Sequence, residues 1–369
     1  MHQLSSSLGN YQLSRYPASH DKTLLPWDSA DLYLIEKITA AIPKGSRILI
    51  ANDEFGGLTT VLSNHYKIVH WSDSYLAQVS AQKNLLLNQQ IVNSIKWLSS
   101  TESTAGLHFD LIIVRPTKNI NYTNYQLQLL SYHHSGTKCY VGVMQKFISK
   151  GLKKTLELNL SKLNPGRAQK KAKVIEGEFS HSKQLPEQYQ YYKINDLSIA
   201  NMANVFSGSS VDIGARFLID NFPSVDDIAT IADVGCGNGI LSIYAAQSNP
   251  NMSIFGFDES YMAVASAQKT FSINNKESAV FSVNNCLSGI QQNFDIILCN
   301  PPFHQNRRVT TDTAHQMIKQ AKQRLNSNGE LWVVANRHLQ YHKQLLKHFG
   351  NQTLIRGNNK FVILKAENC

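Results

Sequence analysis

The feature that most constrains how this chain can fold is an internal repeat. Ser74-Tyr75-Leu76-Ala77, leading to Ala81-Gln82-Lys83, returns as Ser260-Tyr261-Met262-Ala263, leading to Ala267-Gln268-Lys269, at an offset of 186 residues. Phe109-Asp110-Leu111-Ile112-Ile113 returns as Phe294-Asp295-Ile296-Ile297-Leu298 at an offset of 185. The two matches are collinear, so the chain carries two copies of one plan. Each copy alternates short β-branched runs with helix-compatible stretches: Arg47 to Ala51, Ile68 to Trp71 and Leu111 to Val114, then Ile231 to Val234, Ile254 to Phe257 and Ile296 to Cys299. Such alternation predicts an α/β fold in both halves, a mostly parallel sheet flanked by helices. Helices are expected to begin near Gly57, Tyr75, Gly239 and Ser260. The polar stretch around Pro186 marks the boundary, giving domains at 1–190 and 191–369.

The 369 residues, 42% of them hydrophobic, suffice for two ordinary cores. No run approaches the roughly 18 apolar residues of a membrane span, and the polar start Met1 to Asn10 lacks a signal-peptide core. A cytoplasmic protein without membrane association is expected. Cys139, Cys236, Cys286, Cys299 and Cys369 are odd in number and form no C-x-x-C pair, so free thiols are expected rather than disulfides or a structural zinc site. The net charge of +10 suits a polyanionic partner. It is uneven: 22 Lys and Arg face 14 Asp and Glu in residues 1–200, but 14 face 12 in residues 201–369. Lys146, Lys150, Lys153, Lys154, Lys162, Arg167, Lys170, Lys171 and Lys173 share their 28 residues with one acid, Glu157. These are candidate phosphate contacts, alongside Arg307 and Arg308 in the second copy; a solvated helix and turn that merely keeps the protein soluble is the competing reading.

The second copy carries the chemistry. Its first strand ends Asp233-Val234-Gly235-Cys236-Gly237-Asn238-Gly239 and enters an apolar helix at Ile240. Glycines there let the backbone turn sharply and approach a ligand lying over the strand ends. The spacing alone suits NAD as well as S-adenosylmethionine. Two features favour the second: Asp233 precedes the glycines, where a carboxylate can accept from a methionine ammonium, and the third glycine falls one residue early for the dinucleotide fingerprint. Asp258, ending the second strand, is placed to accept both ribose hydroxyls. Asn285, ending the third, can meet the adenine edge.

Asn300-Pro301-Pro302-Phe303 follows the fourth apolar strand. Two prolines remove two backbone donors and stiffen the loop, leaving carbonyl oxygens as an acceptor array. An exocyclic base amine is a poor nucleophile because its lone pair is delocalised into the ring. Asn300 Oδ1 and the Pro301 carbonyl can accept its two N–H bonds, favouring the tetrahedral geometry in which the lone pair reaches a sulfonium methyl. Phe303 offers a face for an extruded base, and such stacking contributes about 1–3 kcal/mol.

Asp233 to Gly239 with Asn300 to Phe303 resemble the amino-methyltransferase group of S-adenosylmethionine enzymes, whose substrates are glutamine, adenine and guanine amines. The longer run narrows this. Asn204-Val205-Phe206-Ser207, Val211-Asp212-Ile213-Gly214-Ala215-Arg216-Phe217, the Asn-Pro-Pro-Phe run continuing to His304, and Ala335-Asn336-Arg337-His338-Leu339 resemble ribosomal RNA guanine-N2 methyltransferases of the RsmC and RlmG type. Arg15-Tyr16-Pro17-Ala18, Ala30 to Leu34, Asn52 to Gly56 and Asn358 to Val362 resemble the large-subunit branch, so the likeness covers nearly the whole chain. It implies tandem Rossmann-like domains with a degenerate first copy, S-adenosylmethionine as donor, and guanine N2 in 23S ribosomal RNA as acceptor. It also implies that Phe206, Asp212 and Gly214 cover the cofactor opposite the glycine loop, and that Asn300 touches cofactor as well as substrate.

In the first copy, Ala51 aligns with Asp233, Asp53 and Phe55 with Gly235 and Gly237, Gly57 with Gly239, and Ser72 with Asp258; Arg115-Pro116-Thr117-Lys118 replaces the Asn-Pro-Pro-Phe loop. That copy is expected to bind RNA and no cofactor. His338 and His342 stand at i and i+4, but Leu339 occupies the place of a zinc protease's Glu, so no metal is expected. The motif residues leave small-subunit guanine N2, adenine N6 and protein glutamine open as substrates, and a non-enzymatic RNA-binding protein with an idle cofactor fold as the other class. No obligate protein partner is evident, and a monomer is compatible with the sequence.

Overall fold

Strands buried on both faces fix the architecture. Ile48 to Ala51 and Leu111 to Val114 in the first half, and Ile297 to Cys299 in the second, have no solvent exposure, as parallel strands covered by helices on both sides require. The structure is a computed structural model. It describes the chain except residues 19, 20, 22, 206–210, 278 and 302–306 and the side chains of 307–311. The chain divides into two units, Met1–Glu187 and Gln188–Cys369. Among the described residues, no helix is long and apolar enough to cross a membrane.

The first unit opens with the hairpin β1 (His2–Ser6) and β2 (Gly9–Leu13). It continues through α1 (Ser29–Ala41), β3 (Arg47–Ala51), α2 (Gly57–Leu62), β4 (Lys67–Ser72), α3 (Tyr75–Leu87), β5 (Lys96–Ser99), β6 (Leu111–Val114), α4 (Ile120–His133), β7 (Lys138–Met144), α5 (Lys150–Asn159), β8 (Leu160–Asn164) and β9 (Ala172–Phe179). The second unit repeats this order. A hairpin, β10 (Gln190–Ile194) and β11 (Leu197–Asn201), leads to α6 (Ile213–Ile219), β12 (Thr230–Val234), α7 (Ile240–Ser248), β13 (Ser253–Asp258), α8 (Tyr261–Ile273), β14 (Ala279–Val283), β15 (Phe294–Cys299), α9 (Arg307–Arg324), β16 (Leu325–Asn336), α10 (Tyr341–Phe349), β17 (Thr353–Gly357) and β18 (Phe361–Glu367). The sheets run β5-β4-β3-β6-β7-β9-β8 and β14-β13-β12-β15-β16-β18-β17, parallel except that β9 and β18 run antiparallel to both of their neighbours. Strand order reverses beside β12, so the crevice over β12 and β15 is where such a sheet takes a ligand.

The repeated residues are structural. Ser74 and Ser260 cap α3 and α8, each accepting the N–H three residues on, from Ala77 and Ala263, at 3.1 Å. Asp110 and Asp295 accept the N–H of the first residue of the central strand, Arg47 and Thr230, at 2.7 and 2.9 Å. Asn88 and Asn274 clamp the entry hairpins by bonding Gln12 and Ser198 through both N–H and C=O.

Strand register corrects the alignment of the two loops by one residue. Ala51 pairs with Val114 as Val234 pairs with Cys299, so Ile50, not Ala51, stands in the place of Asp233. Asn52 and Glu54 then replace Gly235 and Gly237, and Gly56, not Gly57, keeps the place of Gly239. Gly56 and Gly239 are both left-handed caps, at φ 74° and 76°. Ser72 does correspond to Asp258, each following the strand residue paired with Ala51 or Val234.

Candidate active site

Gly235, Gly237 and Gly239 all adopt positive φ, at 81°, 54° and 76°, a conformation that side chains other than glycine's rarely tolerate. Their surroundings differ. A Cβ on Gly239 would stand 3.0 Å from Ala267 Cβ, so this glycine lets α7 pack on α8; a Cβ on Gly237 would meet nothing within 4 Å. Gly237 therefore faces the open crevice over the strand ends.

One carboxylate braces the loop and a second lies buried before it. Asp258 is half-buried, and its Oδ2 accepts from Gly237 N–H while its Oδ1 accepts from Ser260 N–H, both at 3.0 Å. Each carboxylate oxygen accepts about two hydrogen bonds, so Asp258 can hold a diol while anchored. Asp233 is buried and accepts from the Ser242 hydroxyl at 2.7 Å. Burial pushes its carboxyl up to about 7, opposed by the Ser242 hydrogen bond.

Across the crevice, Asp212 caps α6 by accepting from Ala215 N–H at 2.9 Å. The same oxygen, Oδ2, accepts from Asn300 Nδ2 at 3.0 Å. Asn300 Oδ1 is buried and, among the described residues, has no hydrogen-bond partner. An orphaned buried acceptor is costly unless a ligand donates to it. Asn300 follows β15, and the buried Pro301 follows Asn300. The chain thus holds an open carbonyl beside a glycine loop and two carboxylates, a donor set that fits S-adenosylmethionine on one side and an amine on the other.

The model of the methyltransferase small domain matches residues 196–365, and that of the RLMG N-terminal domain matches residues 1–183. Ribosomal RNA large subunit methyltransferase G of Shewanella pealeana is 36% identical over 99% of this chain and 92% of its own length. The same enzyme of Pseudoalteromonas translucida is 36% identical over 98% of both. The chain belongs to the ribosomal RNA large subunit methyltransferase G family. It is an S-adenosylmethionine-dependent methyltransferase. The fold is also that of a solved Thermus thermophilus 16S rRNA N2 G1207 methyltransferase (RsmC), in complex with AdoMet and guanosine, at TM-score 0.78 and 19% identity over 100% of this chain and 98% of the other.

In the second unit hydrogen bonds tie Asp258 to Gly237 of the glycine loop and Asp212 to Asn300, and Asp233 precedes that loop in β12. Gly214 is buried in the first turn of α6. Asn285 lies two residues past β14, and its Oδ1 accepts from Gln316 at 3.0 Å, which ties it to α9. Phe206, Pro302 and Phe303 lie outside the described residues, as do the side chains of Arg307 and Arg308 at the start of α9. His338 and His342 do not share a helix: His338 sits in a 3-10 turn, Arg337–Leu339, and the left-handed Gln340 separates it from α10.

In the first unit the place of Asn300 is taken by an ion-paired arginine. Arg115, standing where Asn300 stands, donates from Nη2 to Asp28 at 2.8 Å, pairs through Nε with Asp31 at 3.1 Å, and bonds the Gly142 carbonyl. Asp28 caps α1 as Asp212 caps α6. Burial pushes Asp31 up to about 7, opposed by Arg115. Burial also raises Glu54, which replaces Gly237, and Arg15 stacks over the neighbouring Phe55 ring at 4.3 Å. Sequence reasoning missed both capping aspartates as partners of the loop after the fourth strand. An Asp directly before the helix, with an alanine or glycine two residues on, was the available signal in both copies.

Proposed function

We propose that the enzyme transfers the methyl group of S-adenosylmethionine to the exocyclic N2 of a guanine in large-subunit ribosomal RNA, in the cytoplasm. The observation that carries this reading is the orphaned Asn300 Oδ1, locked toward the crevice by Asp212. S-adenosylmethionine supplies an electrophilic methyl on sulfur. Asp258 would hold its ribose and Asp233 its ammonium, while Gly237 lets the backbone approach it. Asn300 Oδ1 and the Pro301 carbonyl accept the amine's N–H bonds, localising its lone pair as it attacks and stabilising the positive charge that develops on nitrogen. The names of the relatives favour the large subunit, and the guanosine in the RsmC structure favours guanine.

We assign the first unit to RNA docking. Lys146, Lys150, Lys153, Lys154, Arg167, Lys170 and Lys171 are exposed, and Lys173 is half-buried on β9. Lys162 is paired with Glu178 at 2.7 Å and is set apart from them. Antiparallel pairing of β7 with β9 gathers Lys146 and the Lys170–Lys171 turn at one sheet end. Changing Lys170, Lys171 and Lys173 together to Ala should weaken RNA binding and flatten its salt dependence.

The test is incubation of the full chain with labelled S-adenosylmethionine and, separately, deproteinised large- and small-subunit ribosomal RNA, followed by mass spectrometry of nucleosides. Label on N2-methylguanosine from the large-subunit RNA is expected. Label confined to small-subunit RNA, adenine or protein would sink the assignment.

A further inference from the structure

One strand over from Asn300, the second sheet ends in a cationic corner. β16 runs parallel to β15 with Val333 beside Cys299, and its last residue, Asn336, pairs with Phe361 of β18. The 3-10 turn Arg337–Leu339 leaves β16, and α10 starts after Gln340. β18 is entered from a turn closed on itself: Asn358 Oδ1 accepts from Lys360 N–H and Phe361 N–H at 2.8 and 2.7 Å. Arg337 ties turn to turn. Its backbone N–H donates to the Lys360 carbonyl at 3.0 Å, and its Nε and Nη2 both donate to the Asn358 carbonyl, at 3.1 and 2.9 Å.

This anchoring uses two of the guanidinium's five N–H donors and fixes the group in place while it stays exposed. Lys343 and Lys360 are exposed as well, and among the described residues none of the three has a carboxylate partner. Lys343 lies in the first turn of α10, where the helix dipole disfavours a cation and favours an anion. The same corner recurs in the first unit. There Gln145 N–H donates to the Lys171 carbonyl at 2.8 Å, Lys146 follows β7, and Lys150 opens α5. The first unit has lost two loop glycines and the Asn-Pro-Pro-Phe loop yet still gathers cations at this corner, with Lys171 in the place of Lys360 although Gln145 takes that of Arg337, so the charge serves something other than the cofactor.

We propose that Arg337, Lys343 and Lys360 form a phosphate-binding corner that grips the RNA backbone beside the guanine held at Asn300. The proposal rests on the RNA-amine reading above. Neighbouring strands lie about 5 Å apart and each residue rises about 3.3 Å, so Arg337, one strand over and three residues beyond the level of Asn300, starts about 11 Å from it. Consecutive nucleotides of one strand advance about 3.4 Å when stacked, so phosphates within about three nucleotides of an extruded base reach it. Gripping the backbone next to the target helps offset the unstacking that extrusion requires.

The experiment compares the full chain with its Arg337→Gln/Lys343→Gln/Lys360→Gln variant, measuring affinity for a short single-stranded guanine-containing oligoribonucleotide across potassium chloride concentrations. Affinity should fall about tenfold at moderate salt, and the slope of log affinity against log salt should shrink by about 2, since each single-strand phosphate contact contributes about 0.7. In methyl transfer the KM for RNA should rise, and S-adenosylmethionine affinity by calorimetry should hold. Should Arg337→Gln unfold the turn, Lys343→Gln/Lys360→Gln carries the test alone, with a slope change of about 1.4. Unchanged affinity and slope would overturn the corner even where the parent enzyme methylates ribosomal RNA; a parent enzyme that methylates no ribosomal RNA would overturn the reading beneath it.

Discussion

Asp212 and Asn300, 88 residues apart, meet through a 3.0 Å hydrogen bond that commits the amide NH2 and leaves the amide carbonyl as the acceptor in the crevice. Turning the amide over would forfeit a hydrogen bond to a charged group, about 1.5–3 kcal/mol. In the first unit the equivalent pair, Asp28 and Arg115, has become an ion pair at 2.8 Å that leaves no acceptor to offer. One capping aspartate thus holds an amide in one copy and a guanidinium in the other.

Asn300→Ala should lower the methyl-transfer rate at least about a hundredfold, because it removes an acceptor that matters most as charge develops. Asp212→Ala should cost about ten- to a hundredfold in kcat, and Asp212→Asn, which keeps an acceptor oxygen, should recover part of that loss. Single-turnover assays of the double variant should show no further loss beyond Asn300→Ala. Multiplicative losses would mean that the two residues act separately.

Asp258→Ala should weaken S-adenosylmethionine binding by about 1.5–3 kcal/mol, roughly ten- to a hundredfold, because a charged acceptor of two hydroxyls is lost. RNA affinity should persist. Calorimetry showing normal cofactor binding would displace Asp258 from the ribose.

Asp233 makes cofactor binding depend on pH. Its folded-state carboxyl lies at about 7 against an ordinary 3.8, so the neutral form is favoured in the free protein and its contribution to stability declines as pH rises from about 4 to 7. The cofactor ammonium selects the carboxylate. Affinity should therefore rise toward pH 7 and fall again above about 8, where an α-amino group loses its proton. Asp233→Asn should flatten the acid limb of a calorimetric pH series; an unchanged limb would assign it to another group.

Gly237→Ala and Gly239→Ala should fail differently. At Gly237 a methyl meets open space, so the cost is the left-handed backbone, about 1–2 kcal/mol, plus obstruction of the cofactor. At Gly239 it meets the Ala267 backbone at 3.1 Å, which should lower stability by about 1–3 kcal/mol through displacement of α7 from α8. Thermal melts with and without S-adenosylmethionine separate the two: both variants should melt lower, but only the first should lose ligand-induced stabilisation.

The duplication, the parallel strands and the glycine loop were legible in the sequence because each is a local pattern. Apolar runs, capping serines and left-handed glycines act within a few residues of themselves, and so did the repeated Phe-Asp and Ser-Tyr pairs that betrayed the second copy. What depended on tertiary structure were contacts between elements far apart in the chain. Strand register, set by pairing with β6 and β15, moved the first loop by one residue and showed that the glycine kept in both copies is the one two packed helices require. Only the folded sheet carries the cap of α6 to the end of β15, where an aspartate that reads as an ordinary helix start fixes the Asn300 amide. The turns that gather Arg337 and Lys360 likewise meet only once β16 and β18 pair, because charge in a sequence has no direction until a backbone gives it one.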